Sequence, residues 1–151
     1  MQHDVLIGLG SNQGERAEKL AGARARLEDG DWLRIMRCSP LYESEPWGPV
    51  PQPWYLNQIC LGQTGLSPRA LMRWLLAVEH LGGRDRTNEQ RWGPRAIDID
   101  LLAYNRLEYR DHLVEVPHPR LHERRFVLEP LAVVAPGWRH PRLDLTPGEM
   151  L

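Results

Sequence analysis

Hydrophobic and polar positions along the chain follow two periods, and each change of period marks an element. Val5–Leu9 is a short apolar run ending at Gly10-Ser11-Asn12, the pattern of a buried strand entering a turn. Gly8–Gly14 is accordingly read as a structural turn. Ala17, Leu20, Ala23 and Leu27 then recur on one face, which predicts an amphipathic helix over Glu15–Glu28 with Gly30 past its end. Trp32–Ser44 reads as a second, longer strand, with Pro40 at a bend or edge. Four prolines in 44–53 exclude a regular element and predict a long loop. Tyr55–Gln63 is a third strand. Ser67-Pro68 supplies an N-cap and first helical residue for a helix to about Leu81, burying Leu71, Trp74, Leu75 and Val78, with Gly82-Gly83 as its stop. A polar, arginine-rich loop spans 84–95. Ala96–Tyr104 is a strand that Asn105-Arg106 turns into a partner, Leu107–Arg110. Val114–Val116 is extended and ends at Pro117-His118-Pro119, and Leu121–Val134 is helical with an interruption near Pro130. This order predicts one α+β domain over 1–151, with helices packed on a mostly antiparallel sheet.

Composition narrows the function. The 151 residues are 42% hydrophobic and 26% charged, the balance of a folded globular chain. The net charge of −1 disfavours a protein that coats nucleic acid. No apolar run approaches the ~20 residues of a membrane span, and no secretory leader is expected from Met1-Gln2-His3-Asp4, which has no basic segment ahead of an apolar one. A cytoplasmic setting is expected, with Cys38 and Cys60 as reduced, small apolar fillers. Lys19 is the only lysine beside 18 arginines, so the Gly-Lys-Ser/Thr of a Walker loop is missing. A dinucleotide fingerprint fails too, because Gln13 stands where its third glycine belongs.

Ile97-Asp98-Ile99-Asp100-Leu101 carries the sharpest chemistry. In a strand Ile97, Ile99 and Leu101 face the core, while Asp98 and Asp100 share the other face with Cα atoms about 6.5–7 Å apart. Two carboxylates this close repel unless a cation lies between them, and Mg²⁺ suits hard oxygen donors while leaving positions for phosphates. Arg84, Arg86, Arg91 and Arg95 lie upstream, and Arg124 and Arg125 downstream. Guanidinium forks bind the phosphate oxygens that carboxylate-held Mg²⁺ bridges, so the pattern suggests phosphoryl transfer. Tyr55 and Asn57 share a strand face, where an aromatic plane and an amide suit a flat heterocycle. A solvated polar face and surface ion pairs are the structural alternatives for these residues.

Arg91-Trp92-Gly93-Pro94-Arg95-Ala96-Ile97-Asp98-Ile99-Asp100-Leu101-Leu102 resembles the signature of the 6-hydroxymethyl-7,8-dihydropterin pyrophosphokinases of folate biosynthesis. Leu9-Gly10-Ser11-Asn12, Tyr55-Leu56-Asn57, Glu79, Gly83-Arg84, Arg86, Val116–Arg120 and Arg124–Leu128 with Pro130-Leu131 extend the likeness over nearly the whole chain. The resemblance implies a ferredoxin-like α-β-α sandwich and transfer of pyrophosphate from ATP to the pterin hydroxymethyl group, with AMP as the other product. It implies two Mg²⁺ on Asp98 and Asp100, which with Arg84 and Arg95 form the catalytic set. It implies a pterin slot of Ser44, Tyr55, Asn57, Trp92 and Phe126. Arg84, Arg86, Arg95, His118 and Arg124 would hold the triphosphate, and Glu79 and Leu101 would help hold the nucleoside. The implied partners are small molecules, without nucleic acid or membrane, and the chain is expected to be a monomer. Segments 44–53 and 84–92 are expected to close as lids. An inactive pterin- or nucleotide-binding module, and a different Mg²⁺-dependent transferase or nuclease, are the rival readings.

Overall fold

The computed structural model describes residues 2–46, 48–82 and 96–151. Its centre is an antiparallel sheet in the order β2 (Leu33–Cys38), β4 (Tyr55–Thr64), β1 (His3–Ser11), β5 (Asp98–Tyr104), with β3 (Tyr42–Ser44) also paired to β4. The long central strand β1 is covered on both faces, which is why its sequence reads as an unbroken apolar run. Val5, Ile7 and Leu9 pack with Leu20 and Leu27 of α1 (Arg16–Leu27) and with Leu71, Leu75 and Val78 of α2 (Pro68–Leu81). Leu6 packs on the opposite face with Ile59, Leu102 and the Val127, Leu128 and Leu131 side of α3 (Arg125–Val134). The result is an α-β-α sandwich.

The start of α2 follows its sequence: the Ser67 hydroxyl accepts the Ala70 N–H at 3.2 Å, with Pro68 in the first turn. At its end Gly82 is the C-cap, with φ −78°, and Gly83 lies outside the described residues. A Cβ there would lie 2.7 Å from the Ile97 Cγ2, so glycine is needed for the close approach of the residue that leads into β5.

Two outer strands of the sheet, β2 and β5, are each capped by a glutamate, one at the end of α1 and one within α2. The Ile35 N–H of β2 donates to Glu28 Oε1 at 2.7 Å, and the Ile99 N–H of β5 donates to Glu79 Oε2 at 2.7 Å. Each carboxylate satisfies an edge donor that would otherwise invite another strand.

Four expectations need correction. The strand read as Trp32–Ser44 is two strands. Pro40 lacks a donor, and Ser39 closes the break by exchanging bonds with Ile59 through its backbone N–H (2.8 Å) and hydroxyl (3.0 Å). The segment after Asn105-Arg106 does not pair with β5. Instead β6 (Tyr109–Arg110) pairs with β7 (Glu115–Val116) around a turn whose Leu113 and Val114 N–H groups donate to Asp111 Oδ1. The helical stretch breaks at Arg124, between a 3-10 turn (Leu121–Glu123) and α3, and not at Pro130. That proline is buried inside α3, where its missing N–H removes one intrahelical bond, to Phe126. Cys38 and Cys60 are register partners on β2 and β4 joined by a disulfide, so the expected free thiols are not what the structure shows. A short C-terminal helix, α4 (Pro147–Met150), went unread although Thr146-x-x-Glu149 forms a full capping box.

Candidate active site

The sheet face toward α3 changes character along β1. Where Leu6 fills it at one end, Gly8 and Gly10 add no side chain at the other, Gly8 lying against Leu102 and Ile59. These glycines lie inside the strand and not in a turn, as the sequence reading had them. Gly10 is in register with Asn57 of β4 on one side and Asp98 of β5 on the other, and Gly8 is likewise between Ile59 and Asp100. A Cβ on Gly10 would lie 3.2 Å from Asn57 Oδ1 and 3.6 Å from Tyr55 Cδ1. The two glycines therefore floor a shallow trough with Tyr55 and Asn57 on one bank and Asp98 and Asp100 on the other, strands being about 4.8 Å apart. Both aspartates are half-buried, while Ile97 and Ile99 on the reverse face are in the core.

The orientation of Asn57 is fixed by β3. Its amide nitrogen donates to Ser44 Oγ at 2.7 Å and to the Tyr42 carbonyl at 3.3 Å. With both donor directions engaged, Oδ1 faces the trough as an acceptor. Ser44 thus acts on the trough through Asn57. Phe126, half-buried at the start of α3, lies beneath the Arg124 guanidinium, 5.7 Å from Cζ to the ring centroid. Helix α3 packs against β3 and β4, the strands that carry Ser44, Tyr55 and Asn57.

Arg124 and His118 bring nitrogen donors near Asp98. Arg124 Nε is buried and, among the described residues, has no hydrogen-bond partner, a donor that an anionic ligand would satisfy. The Val116–Pro117 peptide bond is cis, and the next residue, His118, is tied to β5 by donating its N–H to the Leu102 carbonyl at 2.8 Å. His118 Nδ1 accepts the Arg120 N–H at 3.2 Å, which places the ring proton on Nε2. Burial, with the neighbouring charge of Arg124, holds the imidazole down to about 4 against a smaller opposing pull from Asp98. At neutral pH His118 is an uncharged N–H donor.

Glu79 and Leu101 are placed differently. Glu79 is 2% exposed and fixes β5 through Ile99, and the Leu101 side chain lies in the core on the α1–α2 side. Neither side chain is presented on the face of Asp98 and Asp100. Trp47, Arg84, Arg86, Arg91, Trp92 and Arg95 lie outside the described residues, as does the expected lid 84–92.

The proline-rich segment 44–53 is fastened at its far end. Asn12 Nδ2 donates to Gln52 Oε1 at 2.7 Å and to the Pro53 carbonyl at 3.0 Å, and Arg16 donates to the Trp54 carbonyl at 2.9 Å. Asn12 is 1% exposed. In sequence alone it reads as part of a turn. The signal for more was a carboxamide directly after a strand whose glycines mark a close approach.

The histidines predict a pH dependence of stability. Burial first, then His122 and Arg142, hold His140 below its ordinary value, and His140 Nδ1 accepts the Arg142 and Leu143 N–H groups. In the unfolded chain both His118 and His140 take up a proton near pH 6.5. The folded protein does so only at lower pH. The unfolded state therefore binds more protons in this window, and stability falls as pH drops from about 6.5 toward 4. Denaturant melts across that range should show the decline, and His118→Asn with His140→Asn, which keep an acceptor, should flatten it. An unchanged slope in the double variant would assign the effect elsewhere.

Residues 6–136 match the family described as 7,8-dihydro-6-hydroxymethylpterin-pyrophosphokinase (HPPK). The chain is 41% identical over 144 residues to the 2-amino-4-hydroxy-6-hydroxymethyldihydropteridine pyrophosphokinase of Synechocystis, covering 95% of this chain and 72% of that one. It is 44% identical over 132 residues to the protein of that name from Methylorubrum extorquens, covering 87% and 82%. The crystal structure of Plasmodium falciparum HPPK-DHPS with pteroate superposes with a TM-score of 0.78 at 15% identity. It covers 99% of this chain, which spans 42% of that one. At that identity the likeness establishes the fold alone, a ferredoxin-like α+β architecture. Among the described residues no helix is long and apolar enough to cross a membrane.

Proposed function

The chain belongs to the 7,8-dihydro-6-hydroxymethylpterin-pyrophosphokinase family, and from that premise we propose that it transfers the pyrophosphoryl group of ATP to the hydroxymethyl group of 6-hydroxymethyl-7,8-dihydropterin, a step of folate biosynthesis. The row Asn57–Gly10–Asp98 carries this reading. It sets an oriented amide and a carboxylate on opposite banks of one glycine floor, about two strand spacings or 10 Å apart. That span accommodates a flat heterocycle on one side and the phosphates it attacks on the other.

The whole of 1–151 is taken as one pyrophosphokinase domain, acting as a cytoplasmic monomer on small molecules. Tyr55 and Phe126 would sandwich the pterin, with Asn57 Oδ1 accepting from a ring N–H and Ser44 holding the amide in place. Trp92 would cover the ring. Arg84, Arg86, Arg95, Arg124 and the neutral His118 would hold the triphosphate, the orphaned Arg124 Nε gaining an oxygen acceptor. Glu79 and Leu101 would serve the nucleoside through the main chain of β5 that they fix.

Two half-buried carboxylates on one strand face fit Mg²⁺, a hard cation that shares few protein ligands with substrate phosphates. Among the described residues no group of three or more His, Cys, Asp or Glu forms a cage of its own. Asp98 and Asp100 would hold two such ions, which supply neutralisation of phosphate charge when bound. The hydroxymethyl oxygen attacks the β-phosphorus, the bond from that phosphorus to the α–β bridging oxygen breaks, and AMP leaves with the pair of electrons. The hydroxyl proton is lost to solvent. The protein's part is to hold the groups in line, stabilise charge and exclude water.

Mixing the protein with ATP, Mg²⁺ and the pterin alcohol and identifying the nucleotide released tests the reading. AMP is expected. ADP would indicate a simple kinase, and binding of both ligands without turnover would indicate an inactive module.

A further inference from the structure

The proline-rich segment between β3 and β4 borders the trough, yet its two ends are held unequally. Its first residue, Ser44, is in the β3 ladder opposite Tyr55. Its last residues are gripped from another part of the chain, by Asn12 at the end of β1 and Arg16 at the start of α1. Arg16 also reaches Glu43 at 3.4 Å, so one guanidinium touches both flanks of the segment. Asn12 is nearly fully buried and donates to the Gln52 side-chain oxygen and the Pro53 carbonyl, just before Trp54 and Tyr55.

We propose that Asn12, assisted by Arg16, is a positioning residue that latches residues 52–54 to the β1–α1 junction and sets the placement of Tyr55 and Asn57. The kinetic part rests on the pyrophosphokinase reading. The structural part does not.

Tyr55 and Asn57 are the first and third residues of β4, and at that end β4 is held by the short β3 and by the tip of β1. Gly10, opposite Asn57, offers no side chain against them. Fixation from the incoming chain then matters, because a shift of the strand end moves the aromatic plane and the acceptor together. A prolyl carbonyl is a suitable target: Pro53 cannot donate to a ladder, so its backbone leaves pairing to the oxygen.

Hydrogen exchange in the free protein reads the latch without any substrate. Asn12→Ala is expected to speed exchange at Gln52 and Trp54–Asn57 about tenfold, the effect of losing one well-made hydrogen bond, with the amides of α2 unchanged. Unaltered exchange at 52–57 overturns the proposal. In turnover, Asn12→Ala should raise KM for the pterin about tenfold while KM for ATP and kcat stay close to the parent. An equal rise for both substrates overturns the positioning role. Asn12→Asp opposes a carboxylate to two acceptor oxygens and should be worse than alanine, so a near-normal Asp variant also overturns it. If Asn12 variants do not fold, Gln52→Ala and Arg16→Ala remove single outer bonds and should loosen the same amides to a lesser degree. No loosening in either is equally fatal. A parent protein that releases no AMP sinks the functional reading, while the exchange measurement still decides the latch.

Discussion

Replacing Asp98 or Asp100 with alanine is expected to lower turnover by about a thousandfold or more, since the metal charge that a carboxylate holds is worth several kcal/mol at a transferring phosphoryl group. The expectation comes from their placement. Both lie on the trough face of β5 opposite glycines of β1, and the strand itself is held from behind by Ile97, Ile99 and the Glu79 cap on the Ile99 N–H. Neither carboxylate is part of the hydrophobic core, so stability should change by no more than about 1 kcal/mol. Asp98→Asn and Asp100→Asn keep shape without charge and should fail in turnover as the alanines do. Titration with Mn²⁺ in place of Mg²⁺, in the presence of a non-hydrolysable ATP analogue, gives a readout independent of rate. Tight Mn²⁺ binding in either variant would remove the metal from these residues, and near-normal activity would remove the residues from the reaction.

How far this site was legible depends on which physical rule governed each part. The Asp98/Asp100 pair was readable because strand alternation is a local rule: two polar residues flanked by Ile97, Ile99 and Leu101 have one place to go. Tyr55 and Asn57 followed by the same rule. Gly8 and Gly10 were misread as a turn, since glycine favours turns locally and its use as a bare floor exists only once β4 and β5 lie on either side. Asn12 was missed for a related reason, its partners at 52 and 53 being about forty residues away and inside a segment with no period to read. Pro130 misled in the opposite direction. A local breaker was overruled by burial in the α3 face, and the true break came at Arg124, whose guanidinium is drawn toward the Phe126 ring. The division of 32–44 into two strands shows local chemistry winning: Pro40 and the Ser39 bonds interrupt a pattern that hydrophobicity alone would run through.

The heterocycle slot makes the second strong expectation. Tyr55→Ala and Phe126→Ala should each weaken pterin binding by about 0.5–1.5 kcal/mol beyond the loss of buried area. Asn57→Ala should cost about 1–3 kcal/mol, because a ring N–H would be left unpaired in a dry slot. Binding of a non-hydrolysable ATP analogue should be nearly unaffected, since the triphosphate is proposed to lie on the side of Asp98 and Asp100. Ser44→Ala separates recognition from orientation. It removes the 2.7 Å acceptor that holds the Asn57 amide, leaving the longer bond to the Tyr42 carbonyl, so it should weaken pterin binding less than Asn57→Ala and not at all in an Asn57→Ala background. Gly10→Ala tests the floor directly. The added methyl would stand 3.2 Å from Asn57 Oδ1 and 3.6 Å from the Tyr55 ring, in a strand conformation that alanine adopts without strain. It should leave the fold in place and block the pterin, with ATP-analogue binding retained. Calorimetric titration of each variant with the two ligands in turn measures all of these. Equal losses for pterin and nucleotide across the series would mean that Tyr55, Asn57 and Gly10 support the sheet and do not form a slot.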